Sequence, residues 1–479
     1  MTETDTQTPP DIVVIMTDQQ RYDTIRALGA AHAETPNIDR LVERGVAFTQ
    51  CHVPAPSCVP CRASVFTGQY PHTTGVLANG QDWSRTWVPQ LTKRGYHAVS
   101  IGKMHTVPYD APAGFHERII VENKDRYLDG RWFLDDWDKA FGAQGLVKQQ
   151  RELYRQLPDY KQRLGAFEWE LPEHMHPDVY VGRMAQWHLR TKPIDKPLFM
   201  VIGFPGPHPP YDPTPEFAEK WLARDLPLPE PSQAELDALP EPFKEKRRHD
   251  VEVDHDAVAW DLAPSLESLH RMRAYYAANM EMIDREVGGI LDALEAAGRG
   301  DAIVVFCSDH GDCLGDHGLS QKWAPYEEVT RVPLIVSGPG IAGGRTVDGM
   351  VQLHDLAATI LELAGAEPEA PIEAVSFAPA LRGEAFEGRS HVFCEQSGDV
   401  NFTGASFMTM VRSATHKLVH FMDHPHGQLF DLGSEEGETR NLWDDPASEE
   451  TKRHLMAALA DWHIRSAHHT RETRRRSVN

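Results

Sequence analysis

Two cysteines and an arginine lie close together in the stretch Cys58-Val59-Pro60-Cys61-Arg62. A thiol becomes a nucleophile when it is held in place and its pKa is lowered, and Arg62 supplies a permanent cation next to Cys58. Helix-compatible residues begin at Arg62, so that free backbone N–H groups would face an anion near Cys58. The stretch predicts a nucleophile position at Cys58 and an anionic substrate.

The spacing of Cys58 and Cys61 is also that of a redox dithiol, which leaves a thiol-disulfide oxidoreductase open as an alternative. A structural zinc site is less favoured, because zinc takes four ligands and the other cysteines form no second C-x-x-C pair. These cysteines are Cys51, Cys307, Cys313 and Cys394.

The charge balance is strongly acidic. The 479 residues include 48 Lys and Arg against 71 Asp and Glu, a formal net charge of -23. This charge argues against a nucleic-acid-binding protein and against a partner membrane of acidic lipids. An anionic substrate would therefore need a locally positive pocket.

Neither membrane spans nor disulfides are expected. No apolar run approaches the roughly 20 residues that span a bilayer, and the first residues lack a basic start followed by an apolar segment. Six irregularly spaced cysteines are typical of a reducing compartment. We expect a cytoplasmic protein.

Short apolar runs rich in β-branched residues alternate with amphipathic helical patterns along most of the chain. The pattern predicts strands at residues 11–16, 97–101, 197–204 and 302–307, and helices at residues 35–45 and 269–297. This alternation predicts an α/β fold with a large, mostly parallel central sheet and helices on both faces.

The pattern of predicted secondary structure changes after residue 382. Residues 1–382 are predicted to form the α/β domain, with a wall-forming insertion at about 110–192 and a mainly solvated one at about 226–264. Residues 383–479 are predicted to form a small α+β subdomain. It would contain an antiparallel sheet, a final helix at 449–466 and a basic tail.

Several polar side chains are expected at the carboxyl ends of the predicted strands, the edge at which open parallel sheets bind ligands. Two carboxylates with carbonyl and imidazole donors suit one hard divalent cation, Ca²⁺ first, with Mn²⁺ or Mg²⁺ as alternatives. The cations and histidines would surround a tetrahedral anion and supply acid-base groups. The predicted residues are Asp18, Gln19, Cys58, Arg62, Lys103, His105, His208, Asp309 and His310.

These motifs give the chain a resemblance to the formylglycine-dependent (type I) sulfatases of the alkaline phosphatase superfamily. Cys58-Val59-Pro60-Cys61-Arg62 resembles the C-x-P-x-R signature of that family. The resemblance extends over nearly the whole chain and implies an alkaline-phosphatase-like fold. The other matching segments are Asp18-Gln19, Gly102-Lys103-Met104-His105, Ser308-Asp309-His310-Gly311-Asp312, Gln428-Leu429-Phe430-Asp431-Leu432 and Glu438-Thr439-Arg440-Asn441-Leu442.

The resemblance implies that a formylglycine-generating enzyme oxidises Cys58 to formylglycine during maturation. One hydroxyl of the hydrated aldehyde attacks the sulfur of a small-molecule ester and the alcohol leaves; the second hydroxyl then expels sulfate. Homo-oligomers are a family-level expectation.

The resemblance also assigns roles to individual residues. Arg62 would orient the hydrate, and His105 would assist collapse of the intermediate. Three further residues would bind sulfate oxygens or protonate the leaving alcohol, namely Lys103, His208 and Lys322. The implied metal ligands are Asp18, Gln19, Asp309 and His310, with converted Cys58 completing the site.

Three positions depart from the commonest family pattern. Cys61 stands where serine is usual, and Gln19 and His310 replace the more frequent Asp and Asn, as they do in choline-sulfatase-like and phosphonate-monoester-hydrolase-like branches. Lys103 with His105 favours sulfate monoesters, since phosphonate monoester hydrolases tend to lack that pair. A phosphonate monoester or phosphodiester hydrolase remains the alternative. An unconverted, catalytically silent binding protein is a further one.

Overall fold

The computed structural model describes residues 9–122, 134–149, 151–192 and 195–471. The basic tail predicted beyond residue 471 and part of the first predicted insertion lie outside these ranges. The strands are β1 (Ile12–Asp18), β2 (Val46–His52), β3 (His97–Gly102), β4 (Glu117–Ile120), β5 (Leu198–Pro207), β6 (Ile303–Ser308), β7 (Arg331–Ser337), β8 (Arg345–Val347), β9 (Val351–Gln352), β10 (Val392–Ser397), β11 (Phe407–Arg412), β12 (His416–Phe421) and β13 (Gln428–Asp431).

The helices connect these strands and cover the sheets. In chain order they are α1 (Pro36–Arg44), α2 (Cys58–Thr67), α3 (Pro71–Thr74), α4 (Val88–Lys93), α5 (Asp136–Ala143), α6 (Arg151–Tyr154), α7 (Pro177–Thr191), α8 (Pro215–Leu222), α9 (Gln233–Ala238), α10 (Glu241–Glu252), α11 (Leu266–Ala296), α12 (Glu327–Thr330), α13 (Leu356–Leu363), α14 (Ala378–Leu381) and α15 (Glu449–His469).

A nine-stranded sheet forms the centre of the molecule, with strands in the order β4-β3-β5-β1-β6-β7-β2-β8 and β9 paired with β2. Only β7 runs antiparallel to its neighbours β6 and β2 among these pairings. The expectation of a large, mostly parallel sheet is confirmed.

Both faces of this sheet are covered, as β1 shows. Val13 and Ile15 pack into one apolar cluster with residues of α1, α7 and α11. Ile12, Val14 and Met16 pack into a second cluster with residues of α2, α4 and α13. Successive side chains of a strand point to opposite faces, so the continuous apolar run of β1 reflects burial on both sides.

The C-terminal region contains the predicted antiparallel sheet, with strands in the order β10-β11-β12-β13. One face packs against α15 through Leu455, Leu459 and Trp462. The other face packs against Phe243 of α10 and Tyr326.

The two predicted insertions contribute more to packing than the sequence indicated. β4 adds a strand to the edge of the central sheet, and α7 packs against α11 and β5. In the second insertion, expected to be mainly solvated, α10 buries Phe243 and Lys246 completely. The charged composition of α10 gives no sign of this burial, because Lys246 is compensated by groups distant in the sequence as well as by Asp250: its Nζ pairs with Asp250 and donates to the Ser320 carbonyl. Among the described helices, none is both long enough and apolar enough to cross a bilayer.

A charge network joins the segment that follows β6 to α9 and α12. His317 lies 2.7 Å from Glu235 through Nδ1 and 3.2 Å from Glu328 through Nε2. Its ring stacks on Tyr326 with centroids 3.8 Å apart. Burial alone lowers the pKa of His317, but the hydrogen bonds to the two glutamates outweigh burial and raise the pKa to about 10. His317 is therefore an imidazolium cation at neutral pH.

The variant His317→Gln is expected to be destabilised by about 3 kcal/mol, because it leaves the buried Glu235 and the partly buried Glu328 without their cation. The pKa of His317 is higher in the folded than in the unfolded chain. The difference in free energy of unfolding between wild type and variant is therefore largest below pH 6.5 and decreases as the pH rises toward 10. Urea unfolding across this range measures it. His426→Gln, at a side chain that is 65% exposed, is the control and should show no such trend.

Candidate active site

The polar side chains predicted at strand ends do meet at one edge of the central sheet. Asp18 ends β1, Lys103 follows β3, His208 follows β5 and Asp309 follows β6. These four strands run parallel to one another. β2 points the same way and leads into α2, whose first residue is Cys58.

Helix α2 begins at Cys58, one turn earlier than predicted. The sequence pattern predicts helix-compatible residues from Arg62 onward, which leaves Pro60 outside the predicted helix. In the structure Pro60 occupies the first turn, where its missing N–H leaves no hydrogen bond unmade. The helix ends at Gly68, where φ is 71° and an added Cβ would lie 3.0 Å from the Cβ of Ala357. Cys58 is therefore held at a helix N-terminus by a helix that is buried along nearly its whole length.

Arg62 joins three strand ends. Its Nε donates to Asp309 Oδ2 at 2.7 Å, and its two terminal nitrogens donate to Asp18 Oδ2 at 3.1 Å and to the Lys103 carbonyl at 2.7 Å. Burial works against the charge of the guanidinium, but Asp309 and Asp18 outweigh it and raise the pKa of Arg62. Arg62 thus fixes both carboxylates of the site.

Three charged or polar groups surround the Cys58 sulfur. Lys322 Nζ donates to Cys58 Sγ at 3.1 Å, His310 Nε2 lies 3.2 Å from it and Asp18 Oδ1 lies 3.7 Å from it. Burial lowers the pKa of Lys322, but the neighbouring Cys58 and Asp18 outweigh burial and raise it. Lys322 is therefore a cation placed to stabilise negative charge at position 58.

A candidate metal site includes the same sulfur. Asp18, Cys58, Asp309 and His310 are all buried, and each offers a ligand atom within 4.8 Å of the others. Burial alone raises the pKa of Asp18, but Lys103, with its Nζ 2.8 Å from Asp18 Oδ2, leads the cations that bring it well below its usual value. Two carboxylates and an imidazole in one buried cluster fit a divalent cation.

Gln19 has a constrained backbone beside this cluster. Its φ is 71°, a conformation that costs a non-glycine residue energy unless its surroundings fix it. The N–H of Gln19 donates to Asp309 Oδ1 at 3.1 Å, and its carbonyl accepts from the Tyr276 hydroxyl at 2.8 Å. Its side-chain Nε2 donates to Asp312 Oδ2 at 2.7 Å, and its Oε1 accepts from Lys322 at 2.8 Å. The amide oxygen is thereby directed toward the cationic side of the site.

Asp312 and Tyr211 are two residues of the site to which the sequence motifs assign no role. In the structure both are buried, and the Tyr211 hydroxyl donates to Asp312 Oδ2 at 2.7 Å, the same oxygen that accepts from Gln19. Asp312 Oδ1 also accepts from the N–H of Leu314. The available signal was the position of Asp312 within the motif that follows β6.

Replacing Asp312 by Asn should weaken metal binding by about 10- to 100-fold, because the amide can no longer accept from both Gln19 and Tyr211 at one carboxylate oxygen. The oxygen of the new amide can still accept from the N–H of Leu314, so the fold should persist. Titration calorimetry with Ca²⁺ as the probe cation measures the affinity of this candidate site. Unchanged affinity would mean that Gln19 does not depend on Asp312.

His208 meets a residue that the sequence gave no reason to pair with it. Its Nδ1 lies 2.7 Å from the Pro209 carbonyl, which can only accept, so Nδ1 carries a proton and Nε2 is the exchanging atom. Nε2 lies 3.5 Å from Asp256 Oδ2, in the second predicted insertion. Burial, followed by the charge of Lys322, lowers the pKa of His208 well below its usual value.

His105 lies at the margin of the cluster. Its backbone N–H donates to Glu122 at 2.8 Å, and its carbonyl accepts from the Trp83 indole at 2.7 Å. Within the described residues, the His105 ring makes no hydrogen bond to another predicted site residue. Burial and then Lys103 lower its pKa well below the usual value.

Cys61 does not have the environment of a redox thiol. It is fully buried in the apolar cluster beneath α2, and burial raises its pKa well above the usual value. Reactive dithiols depend on an accessible, stabilised thiolate. The environment of Cys61 therefore favours a small packing residue over a redox partner of Cys58.

Comparison with known proteins agrees with this geometry. The family model described as Sulfatase matches residues 10–366, and the one described as N-sulphoglucosamine sulphohydrolase, C-terminal, matches residues 315–465. An arylsulfatase of Clostridium perfringens is 28% identical, with 93% of this chain and 92% of the relative covered. A choline-sulfatase of Rhizobium meliloti is also 28% identical, with 91% of this chain and 83% of the relative covered.

A solved structure supports the same family assignment. The phosphonate monoester hydrolase of Silicibacter pomeroyi superposes with a TM-score of 0.79 at 25% identity, covering 97% of this chain and 96% of that one. Since the Sulfatase model spans most of the chain, the protein belongs to the sulfatase family of the alkaline phosphatase superfamily and is a sulfatase-type hydrolase.

Proposed function

We propose that the protein hydrolyses sulfate monoesters with a formylglycine formed from Cys58 and one divalent metal ion, Ca²⁺ first among the candidates. The observation that carries the proposal is the position of Cys58, at a helix N-terminus and in contact with Lys322, His310 and Asp18. Relatives named arylsulfatase and choline-sulfatase, which match over more than nine-tenths of this chain, support the sulfate ester as substrate.

Maturation would precede folding. Cys58 is 1% exposed in the folded chain, which leaves no room for a modifying enzyme to reach its sulfur. A formylglycine-generating enzyme would therefore act on the unfolded or partly folded chain. Formylglycine, as its hydrate, supplies one hydroxyl for attack on sulfur and a second for release of sulfate.

The metal would be held by Asp18, Asp309 and His310, with the Gln19 amide oxygen and residue 58 as further ligands. Oxygen-rich sites of this kind suit Ca²⁺, with Mn²⁺ or Mg²⁺ as alternatives. A bound divalent cation polarises ester oxygens and lowers the pKa of an adjacent nucleophile.

The three cations of the site have two different roles: Arg62 orients the metal ligands, and Lys103 and Lys322 bind the substrate anion. Arg62 bonds both carboxylates and so orients the metal ligands and residue 58. Lys103 and Lys322 have raised pKa values, because the anionic groups around them outweigh the effect of burial. A lysine with a raised pKa does not readily give up its proton. Lys103 and Lys322 are therefore better placed to bind the sulfate oxygens than to protonate the leaving alcohol.

We assign protonation of the leaving alcohol to His208. Its exchanging nitrogen faces Asp256, and a carboxylate favours the protonated ring. A bound sulfate monoester would offset the repulsion from Lys322, which contributes to the low pKa of His208 in the free enzyme. His105, beside Lys103, is the remaining candidate for acid-base work during release of sulfate.

The alternative substrate class is a phosphonate monoester or phosphodiester, which the similarity to the phosphonate monoester hydrolase of Silicibacter pomeroyi favours. Both classes present a tetrahedral anionic centre to the same cations.

The comparison of 4-nitrophenyl sulfate with 4-nitrophenyl phenylphosphonate and bis(4-nitrophenyl) phosphate decides between these substrate classes. The leaving group is the same in each, so kcat/KM reports the preference for sulfur or phosphorus. We expect the sulfate ester to have the highest kcat/KM. A higher value for either phosphorus ester would reject the sulfatase assignment in favour of the alternative.

A further inference from the structure

A second group of metal-ligating side chains lies where the C-terminal helix meets α3 and the small sheet. His72 comes from α3, Glu395 from β10 and His463 from α15. Each offers one ligand atom, and these atoms lie within 4.8 Å of one another. Imidazole with carboxylate is a ligand combination that Zn²⁺ takes readily.

The carboxylate in this group is incompletely satisfied. Glu395 Oε1 accepts from the backbone N–H of His72 at 2.7 Å and lies 2.7 Å from His72 Nδ1. Its other oxygen, Oε2, is buried and has no hydrogen-bond partner within the described parts of the chain. A buried carboxylate oxygen without a donor or cation is costly. The position therefore favours an additional positive ligand.

An ion could reach this group from solvent. An open cleft of about 860 Å³ lies beside α15, and its lining includes Tyr70, Trp462 and Ser466. The Ser466 hydroxyl lies 2.6 Å from His72 Nε2, so the cleft extends to the immediate neighbour of the cluster. A water from the cleft can supply the further ligand that a tetrahedral site needs.

We propose that His72, Glu395 and His463 bind one Zn²⁺ ion, separate from the metal at Cys58. A metal binds only an imidazole nitrogen that carries no hydrogen, so at His72 Nδ1 the ion takes the place of any hydrogen shared with Glu395, which passes to Nε2 or to solvent. Because the three ligands come from three elements, the ion fastens α15 to α3 and β10. The site is independent of the proposed sulfatase reaction.

Co²⁺ serves as the probe, because its absorption bands report imidazole ligation and tetrahedral geometry. The full chain is stripped with a chelator and titrated with Co²⁺, and bound metal is counted. His463→Gln should remove one equivalent of bound Co²⁺ and lower the affinity at this site by more than about 100-fold, since even outer contacts of a metal are worth 10- to 100-fold. His468→Gln, at an exposed position on the same helix, is the matched control and should bind as the wild type does.

Glu395→Gln provides a second variant that keeps the shape and the acceptor facing His72. It should lose the same equivalent of Co²⁺ and the rise in Tm that Zn²⁺ gives the wild type. Circular dichroism in chelator confirms that each variant is folded. The proposal is overturned if the wild type and both variants bind the same number of Co²⁺ ions with the same spectrum.

Discussion

Replacing Cys58 by Ala is expected to lower kcat for sulfate esters by about 10⁴-fold or more, since removal of a covalent nucleophile takes away the step on which the other groups act. The fold should persist, because the variant removes one small sulfur atom at a helix N-terminus. Steady-state kinetics with 4-nitrophenyl sulfate measures the loss, and circular dichroism checks the fold.

The neighbouring cysteine is the matched control. Cys61→Ser should retain most of the activity, because the sulfatase account assigns Cys61 no chemistry and the serine is of similar size. A redox dithiol would need both sulfurs. Comparable loss of activity in the two variants would therefore contradict the sulfatase account, as would an active Cys58→Ala enzyme.

Replacing Arg62 by Met should produce the largest loss of stability among the site variants. The apolar chain fills a similar volume but leaves Asp18 and Asp309 without the cation they share. Breaking a fully buried pair in this way costs about 3 to 5 kcal/mol. Activity should fall by at least about 100-fold, because the carboxylates lose the group that orients them.

Metal should partly rescue the stability of this variant. A divalent cation bound by Asp18 and Asp309 supplies positive charge where Arg62 did, so the rise in Tm on adding Ca²⁺ should be larger for Arg62→Met than for the wild type. Arg382→Met removes an arginine that is 42% exposed and pairs with Glu362 and Glu384, and it should have little effect. An equal Ca²⁺ effect on wild type and Arg62→Met would show that the metal does not bind at these carboxylates.

The fold class could be predicted because the central strands are buried on both faces. β1 and β6 are therefore continuous apolar runs, and the polar residues that end them, Asp18 and Asp309, stand out in the sequence. The rule that ligands bind at the carboxyl ends of parallel strands then places these residues together. A local pattern and one topological rule were sufficient for this part of the site.

The start of α2 could not be placed correctly from local pattern, since Pro60 is compatible with a turn as well as with the first turn of a helix. β4 was missed for a different reason. Glu117–Ile120 is short and only half-buried at the sheet edge, so it lacks the apolar run that identified the inner strands.

Contacts between distant segments were beyond the reach of the sequence. Asp256 meets His208 because the second predicted insertion folds back over the site, and nothing in the charged composition of that insertion indicates its partner. The shared use of Asp312 by Gln19 and Tyr211 likewise depends on three separate segments. Long-range packing of this kind decides which groups orient the predicted ligands.

Mass spectrometry of the peptide that contains Cys58 tests the central claim most directly. The protein is produced with and without a formylglycine-generating enzyme, and the fraction of aldehyde at position 58 is compared with the specific activity toward sulfate esters. The account predicts an aldehyde at Cys58, an intact thiol at Cys61 and activity in proportion to the aldehyde. Full activity from protein whose Cys58 is entirely thiol, or a reversible disulfide between Cys58 and Cys61, would contradict it.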